Sequence, residues 1–390
     1  MLDMTYARSR LCLGIFGVGS IVLVTLAGLI GGLPHSIFST SKVWSPSDFS
    51  SLALFELTCV AYMLPLDLLG GFFLPRLFGR QNITANDFVR RWLTGVLFQA
   101  TLFLVVGLLI VATGRFGGRF AVISLIIIIA VGFIAFQRRI TLWMTRGLLV
   151  DTDEKVVGAM EQTKQWGFKP LPAIVVEHQD PGFTGGVVGL PRFESLILSR
   201  SWVDQLSSEQ LSVAIARRLE AVNTGSRTRG ILLALIWISS GFAIASHLPG
   251  AGFTSIAELV MTCLGFTSWT FIGLLVLPTV SRQATYAIDR NVILRGVPSK
   301  LLRAMLKKLD RLQDDEPLRS TMIETIFHPV PSIANRSASS GNASLDSVIP
   351  FAWHSPRMML FLSWSCLGLL ARAVHCNVGR PELWIMLPTD

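Results

Sequence analysis

The chain has 390 residues, 51% of them hydrophobic and only 15% charged, with a formal net charge of +9. Soluble domains carry about a quarter of their residues as charges, so this composition and a mean hydropathy of +0.55 exclude a purely water-soluble protein. The positive charge does not point to nucleic acid, because no basic run is interleaved with aromatics and the cytoplasmic loops of membrane proteins collect Lys and Arg.

A membrane-crossing helix needs about 20 mostly apolar residues. The first such stretch covers residues 11–33, too long for a signal-peptide core. Others follow at 52–74, 93–112, 120–136, 231–247 and 259–280. A seventh, 358–374, is short and interrupted by Arg372, so it either spans or lies on the membrane surface. The spacing therefore predicts an integral membrane protein that is mainly α, with about six or seven transmembrane helices.

Arg8 and Arg10 precede the first span, and Arg76, Arg80, Arg90 and Arg91 lie between the second and third. Arg138, Arg139 and Arg146 follow the fourth, and Arg282 and Arg290 the sixth. All these clusters share one side if the N-terminus is cytoplasmic. Only Arg115 and Arg119, in the hairpin between spans three and four, break the rule.

The expected organisation is a four-span membrane domain (1–136), a first cytoplasmic segment (137–229), two spans (230–280), a second cytoplasmic segment (281–350), and a hydrophobic segment with tail (351–390). In the first cytoplasmic segment, a helix is expected over 151–166 and β-branched strands over 173–177 and 195–199, joined by a turn-rich link at 181–186. A further helix opens at Ser207, where Gln210 three residues on completes a capping box. Its apolar positions Leu211, Ile215, Leu219 and Val222 recur on one face. The second segment reads as helices over 285–294 and 299–312, then a polar linker whose 335–347 portion is expected to be mobile.

These pieces resemble, in order, the HtpX-type and CAAX-prenyl-protease-type membrane-integrated zinc metallopeptidases. The stretch Leu206-Ser-Ser-Glu-Gln-Leu211 resembles the family's lead-in to its HExxH helix. Residues 281–290 resemble its second motif, keeping Ser281, Arg282, Tyr286, Asp289 and Arg290. His328 and Pro329, followed by Arg336, resemble its late His-Pro element. The resemblance implies a split α+β zincin-like cytoplasmic domain and a place in a bacterial cytoplasmic membrane.

The chemistry departs from that pattern. HExxH works because two His four residues apart grip one zinc while the Glu between them activates its water. Here Arg217 and Ala221 stand at the His positions, Arg218 at the general base, and Thr285 at the third ligand. A guanidinium stays protonated and has no lone pair to donate. The resemblance thus implies the fold without the metal: no catalytic residue, no cofactor, and a pseudopeptidase that binds or regulates other proteins. Its partners would be the lipid bilayer and membrane proteins or unfolded peptide segments. In place of zinc, Arg217 is expected to meet Glu220 three residues on, with Arg217 or Arg218 bridging to Asp289. The plainer expectation is that both Arg face water.

Two other functions stay open. One is an active zinc metalloendopeptidase with an unusual site, although none of the six His has a ligand partner at helical spacing and His178 reads as a turn residue. The other is a transporter or channel using Glu56 and Asp67, which lie eleven residues apart on nearly one face of the second span with Pro65 between them. Cys12, Cys59, Cys263, Cys366 and Cys376 form no CxxC pair and read as small hydrophobes. The glycosylation-like triplets at Asn82 and Asn342 fall on the cytoplasmic side of this topology.

Overall fold

The computed structural model describes residues 5–80, 84–145, 149–150, 153–177, 183–313, 319–341 and 348–381. Asn82, His178 and Asn342 lie outside them. In chain order the helices are α1 (Tyr6–Ile30), α2 (Leu33–Ile37), α3 (Pro46–Leu68), α4 (Leu74–Leu77) and α5 (Ala85–Thr145). Then come β1 (Leu149–Val150), α6 (Glu154–Gln165), β2 (Ala173–Val176), β3 (Gly185–Val188) and β4 (Ser195–Ser199). The rest is helical: α7 (Arg200–Gln205), α8 (Ser208–Asn223), α9 (Ser226–Ala245), α10 (Ile256–Leu294), α11 (Ser299–Gln313), α12 (Thr321–Phe327), α13 (Ile333–Gly341) and α14 (Ser355–Leu362).

Among the described residues, five helices are long and apolar enough to cross a membrane: 6–30, 46–77, 85–143, 226–245 and 256–294. The two spans expected at 93–112 and 120–136 fall on either side of Gly118 in α5, where φ is +66°. That backbone conformation strains any side chain with a Cβ, so glycine marks the break. The stretch 358–374 is not a continuous helix. It is the end of α14 followed by 3-10 turns at Ser363–Cys366 and Leu370–Arg372, and α14 is only 8 residues long.

The chain divides into two compact units, each assembled from separated stretches. The first comprises 1–133, 235–273 and 359–385. The Arg115 side chain is 7% exposed and donates to Asp48 Oδ2 at 2.9 Å, Ser41 O at 2.8 Å and Thr254 O at 2.8 Å. These three acceptors give a local cause for the position of Arg115, the exception to the expected charge pattern.

The second unit comprises 134–234 and 274–358. Its sheet has the order β1-β2-β4-β3, with β2 and β4 parallel and the two outer strands antiparallel. Strand β4 begins and ends where its β-branched pattern does. Strand β3 occupies part of the stretch read from sequence as a flexible link. Gly185 there has φ +76°, and a Cβ would lie 2.0 Å from Ile197 O, so glycine permits the close pairing with β4.

Helix α6 starts at Asp153, whose carboxylate accepts from Lys155 N at 3.0 Å and Val156 N at 3.3 Å. Helix α8 has the expected capping box: Gln210 N donates to Ser207 Oγ at 3.2 Å, and Ser207 N to Gln210 Oε1 at 3.1 Å. Two other expectations need correction. The helix expected at 285–294 is the end of α10, one helix of 39 residues. Part of the stretch expected to be mobile, 335–341, is the helix α13.

Candidate functional site

The site is built on α8, the central helix of the second unit. Sequence periodicity predicts one buried face for it, but every residue from Leu211 to Ala221 is buried. Leu211, Ala214, Ile215 and Leu219 share a core with Leu196 and Leu198 of β4, Ile288 and Val292 of α10, and Met305 and Leu309 of α11. Arg217 and Arg218 do not face water, each being 0% exposed. A buried guanidinium must be paired and hydrogen-bonded to persist.

The pairing is specific. Arg217 donates from Nε to Asp289 Oδ1 at 2.6 Å. Arg336 of α13 donates to the same carboxylate twice, Nε to Oδ2 at 2.6 Å and Nη2 to Oδ1 at 2.9 Å. Two guanidiniums from different helices thus share one buried aspartate, and the forked Arg336 contact fixes its plane. Arg218 turns elsewhere. It donates to Ile197 O at 3.2 Å and Thr184 O at 2.8 Å, and its guanidinium carbon lies 4.5 Å from the centre of the Trp202 ring.

Glu220 does not pair with Arg217. Its carboxylate accepts from Asn291 Nδ2 at 2.9 Å and Arg295 Nε at 2.8 Å, both at the C-terminal end of α10. Asn291 and Arg295 are four residues apart, so both reach the α8 side of α10. Neither was singled out from the sequence, and that spacing, two residues past Asp289, was the available signal. Thr285 sits one turn before Asp289 and donates its hydroxyl back to Ser281 O at 3.0 Å. Ala221 is fully buried in the same apolar core as Ala284.

The remaining motif residues hold the scaffold. Ser281 Oγ accepts from His354 N at 3.1 Å, and Arg282 donates to Glu324 O at 2.5 Å. Tyr286 and Arg290 are half-buried on α10. His328 ends α12, its N–H donating to Glu324 O at 3.3 Å, and Pro329 follows it.

The zinc implied by the sequence resemblance does not fit these residues. Of the three ligand positions that the resemblance implies, two carry Arg and Ala, the third carries a threonine whose O–H donates to its own helix, and the Arg217 guanidinium is engaged by Asp289. Among the described residues, no three His, Cys, Asp or Glu side chains are placed to hold a metal ion. The rings of His35 and His247 lie at 2.8 Å from the Gly250 and Ala243 carbonyls.

Glu56 and Asp67 are both buried in the first unit. Asp67 is the centre of a tie. It accepts from the Arg372 guanidinium, from Trp92 Nε1 at 2.9 Å and from Gly379 N at 3.1 Å. Arg10 reinforces the same region by donating to Gly70 O at 2.8 Å, His375 O at 2.8 Å and Val378 O at 3.1 Å. Glu56 makes no hydrogen bond to any described residue and lines a cavity.

No family model and no curated protein sequence matches this chain. Among solved structures, the crystal structure of Ste24p from S. mikatae is similar to it, with a TM-score of 0.69 over 86% of each chain at 14% sequence identity. Identity that low speaks for the fold alone, so the likeness establishes an integral membrane architecture of the Ste24p kind and leaves the chemistry to the residues described above.

Proposed function

We propose that this protein is a membrane relative of the zinc metallopeptidases that has lost hydrolytic activity and acts by binding or regulating other proteins. The observation that carries the reading is the buried Arg217–Asp289–Arg336 cluster, with Arg217 at a position where the family places a metal ligand. The fold likeness to Ste24p and the retained Ser281-to-Arg290 motif support the superfamily. The second unit is then a split zincin-like domain whose four chemical positions have been refilled with groups that cannot grip a cation. The Arg and Lys distribution supports a cytoplasmic N-terminus and a cytoplasmic second unit. Asp67 supports no transport pathway, because its acceptors are all engaged by structural donors.

Purified full-length protein tests the proposal. Metal analysis is expected to find well under one zinc per chain, and a panel of peptides is expected to remain uncut with or without chelator. Zinc near one per chain, with cleavage that a chelator abolishes, would make the protein an active peptidase on the same fold.

A further inference from the structure

The first unit contains a cavity of about 140 Å³ between α1, α3, α5, α10 and the turns after α14. Its walls include the apolar rings of Phe55 and Trp364, and Cys59. Two charged side chains also line it, Glu56 at 7% exposure and Arg372 at 7%. Val24, Thr58 and Tyr62 line it as well and are exposed on the outer faces of their helices, so the cavity opens towards lipid.

The polar groups are unevenly satisfied. Arg372 is bound to Asp67 through Nη2, while its Nε is buried with no hydrogen-bond partner among the described residues. The Glu56 carboxylate has none there either. A buried polar group without a partner costs about 1–3 kcal/mol, and more if charged. An occupant that exchanges a hydrogen bond with Glu56 recovers that cost, and an apolar body fills the remaining walls. A cavity of about this size, roughly 150 Å³, holds a molecule as large as benzene.

We propose that this cavity is a binding site for a neutral amphiphile with a hydroxyl head, the hydroxyl meeting Glu56 and the chain leaving through the side marked by Thr58. The charges select this head. Asp67 and Arg372 already neutralise each other, so an ammonium head would satisfy Glu56 while facing the guanidinium, and a carboxylate head would oppose Glu56. A hydroxyl donates and accepts without adding charge. This site is independent of the proposed loss of peptidase activity.

The test uses the full chain in phosphatidylcholine nanodiscs and a photoactivatable diazirine-bearing octanol, with labelled residues mapped by mass spectrometry. Adducts are expected to concentrate on Glu56, Cys59 and Tyr62. Excess 1-octanol should suppress them about tenfold, and octane or octylamine at the same concentration should not. A dioctanoylglycerol competitor separates two sources of the same head: competition assigns a glycerolipid hydroxyl, and its failure beside octanol competition assigns a free alcohol. Glu56→Gln keeps a hydrogen-bond acceptor for the hydroxyl and should retain labelling, whereas Glu56→Leu should lose it. Thr58→Trp obstructs the open side without touching the buried charges, and should also lose it if the fold is kept. Labelling spread along lipid-facing residues, or equal competition by octylamine or octane, would overturn the assignment.

Discussion

Two aspartates organise this molecule, one in each unit, and they are buried to the same degree: the side chains of Asp67 and Asp289 are 1% and 2% exposed. Around Asp67 the partners are mixed: one guanidinium, an indole N–H and a backbone N–H. Around Asp289 they are two guanidiniums. The first carboxylate meets one guanidinium, and the second is shared by two. A buried ion pair rarely adds net stability over apolar side chains of similar size. What both clusters supply is registry, holding separated stretches of chain in one arrangement, and Asp289 does so for two guanidiniums where Asp67 does so for one.

That difference can be broken most sharply at the aspartates. Asp289→Ala removes a carboxylate shared by two buried guanidiniums and should cost about 3–5 kcal/mol, read as a large fall in melting temperature in detergent. Asp67→Asn strands one guanidinium and keeps a side chain that can still accept from Trp92 or Gly379, so its fall should be smaller. Replacing Arg217, Asp289 and Arg336 together by Met, Leu and Met should recover most of the loss. Failure to recover would show that the cluster contributes more than registry.

Arg218→Met sharpens the comparison at a neighbouring arginine that donates to backbone carbonyls. It removes donors from Thr184 and Ile197 carbonyls while keeping much of the volume over Trp202, with an expected cost of about 1–3 kcal/mol. Stability unchanged by this variant would mean that the two carbonyls find other donors.

The smallest effect is expected at a partly exposed acid. Burial pushes the Asp153 carboxyl up, but the hydrogen bond from Arg200 and those from the Val156 and Lys155 amides outweigh it and hold it below its ordinary value. A depressed carboxylate contributes stability above its unfolded pKa of about 3.9 and loses it as pH falls through the lower folded value. Asp153→Asn should therefore flatten the dependence of melting temperature on pH below about 4, and Asp153→Ala should cost about 1 kcal/mol at neutral pH through the lost cap. Parallel pH curves for Asp153→Asn and the parent would remove the acid from the account.

How much of this was legible in the sequence depends on the range of the forces involved. The start of α8 was readable because a capping box is a local device, complete within Ser207 to Gln210. Strand β4 was readable from five residues of its own pattern. Strand β3 was not, because Gly185 and Gly186 carry no strand signal and the pairing is dictated by Ile197 and Leu198, more than ten residues away. The resemblance and the charges offered an Asp289 bond from Arg217 or Arg218, but the plainer expectation put both arginines in water, because burial is set by packing across elements that sequence does not show. The choice of Asn291 and Arg295 by Glu220 was not readable, because i,i+3 proximity on α8 competes with a better geometry across to α10. Helix α13 was read as linker from its Ser, Ala and Asn content, yet Arg336 there finds a buried carboxylate that repays the ordering.

Arg336 also sets a limit on when the second unit can be finished. It lies 47 residues beyond Asp289 and well over a hundred beyond Arg217, which share its bond. During synthesis from the N-terminus, strands β1 to β4, α8 and the whole of α10 leave the ribosome before the residue that completes their central charge cluster. Until then Asp289 holds a single guanidinium, and a chain stopped short of α13 would carry the core without its last fastening. Nascent chains halted before and after residue 336 should differ in protease resistance at α8.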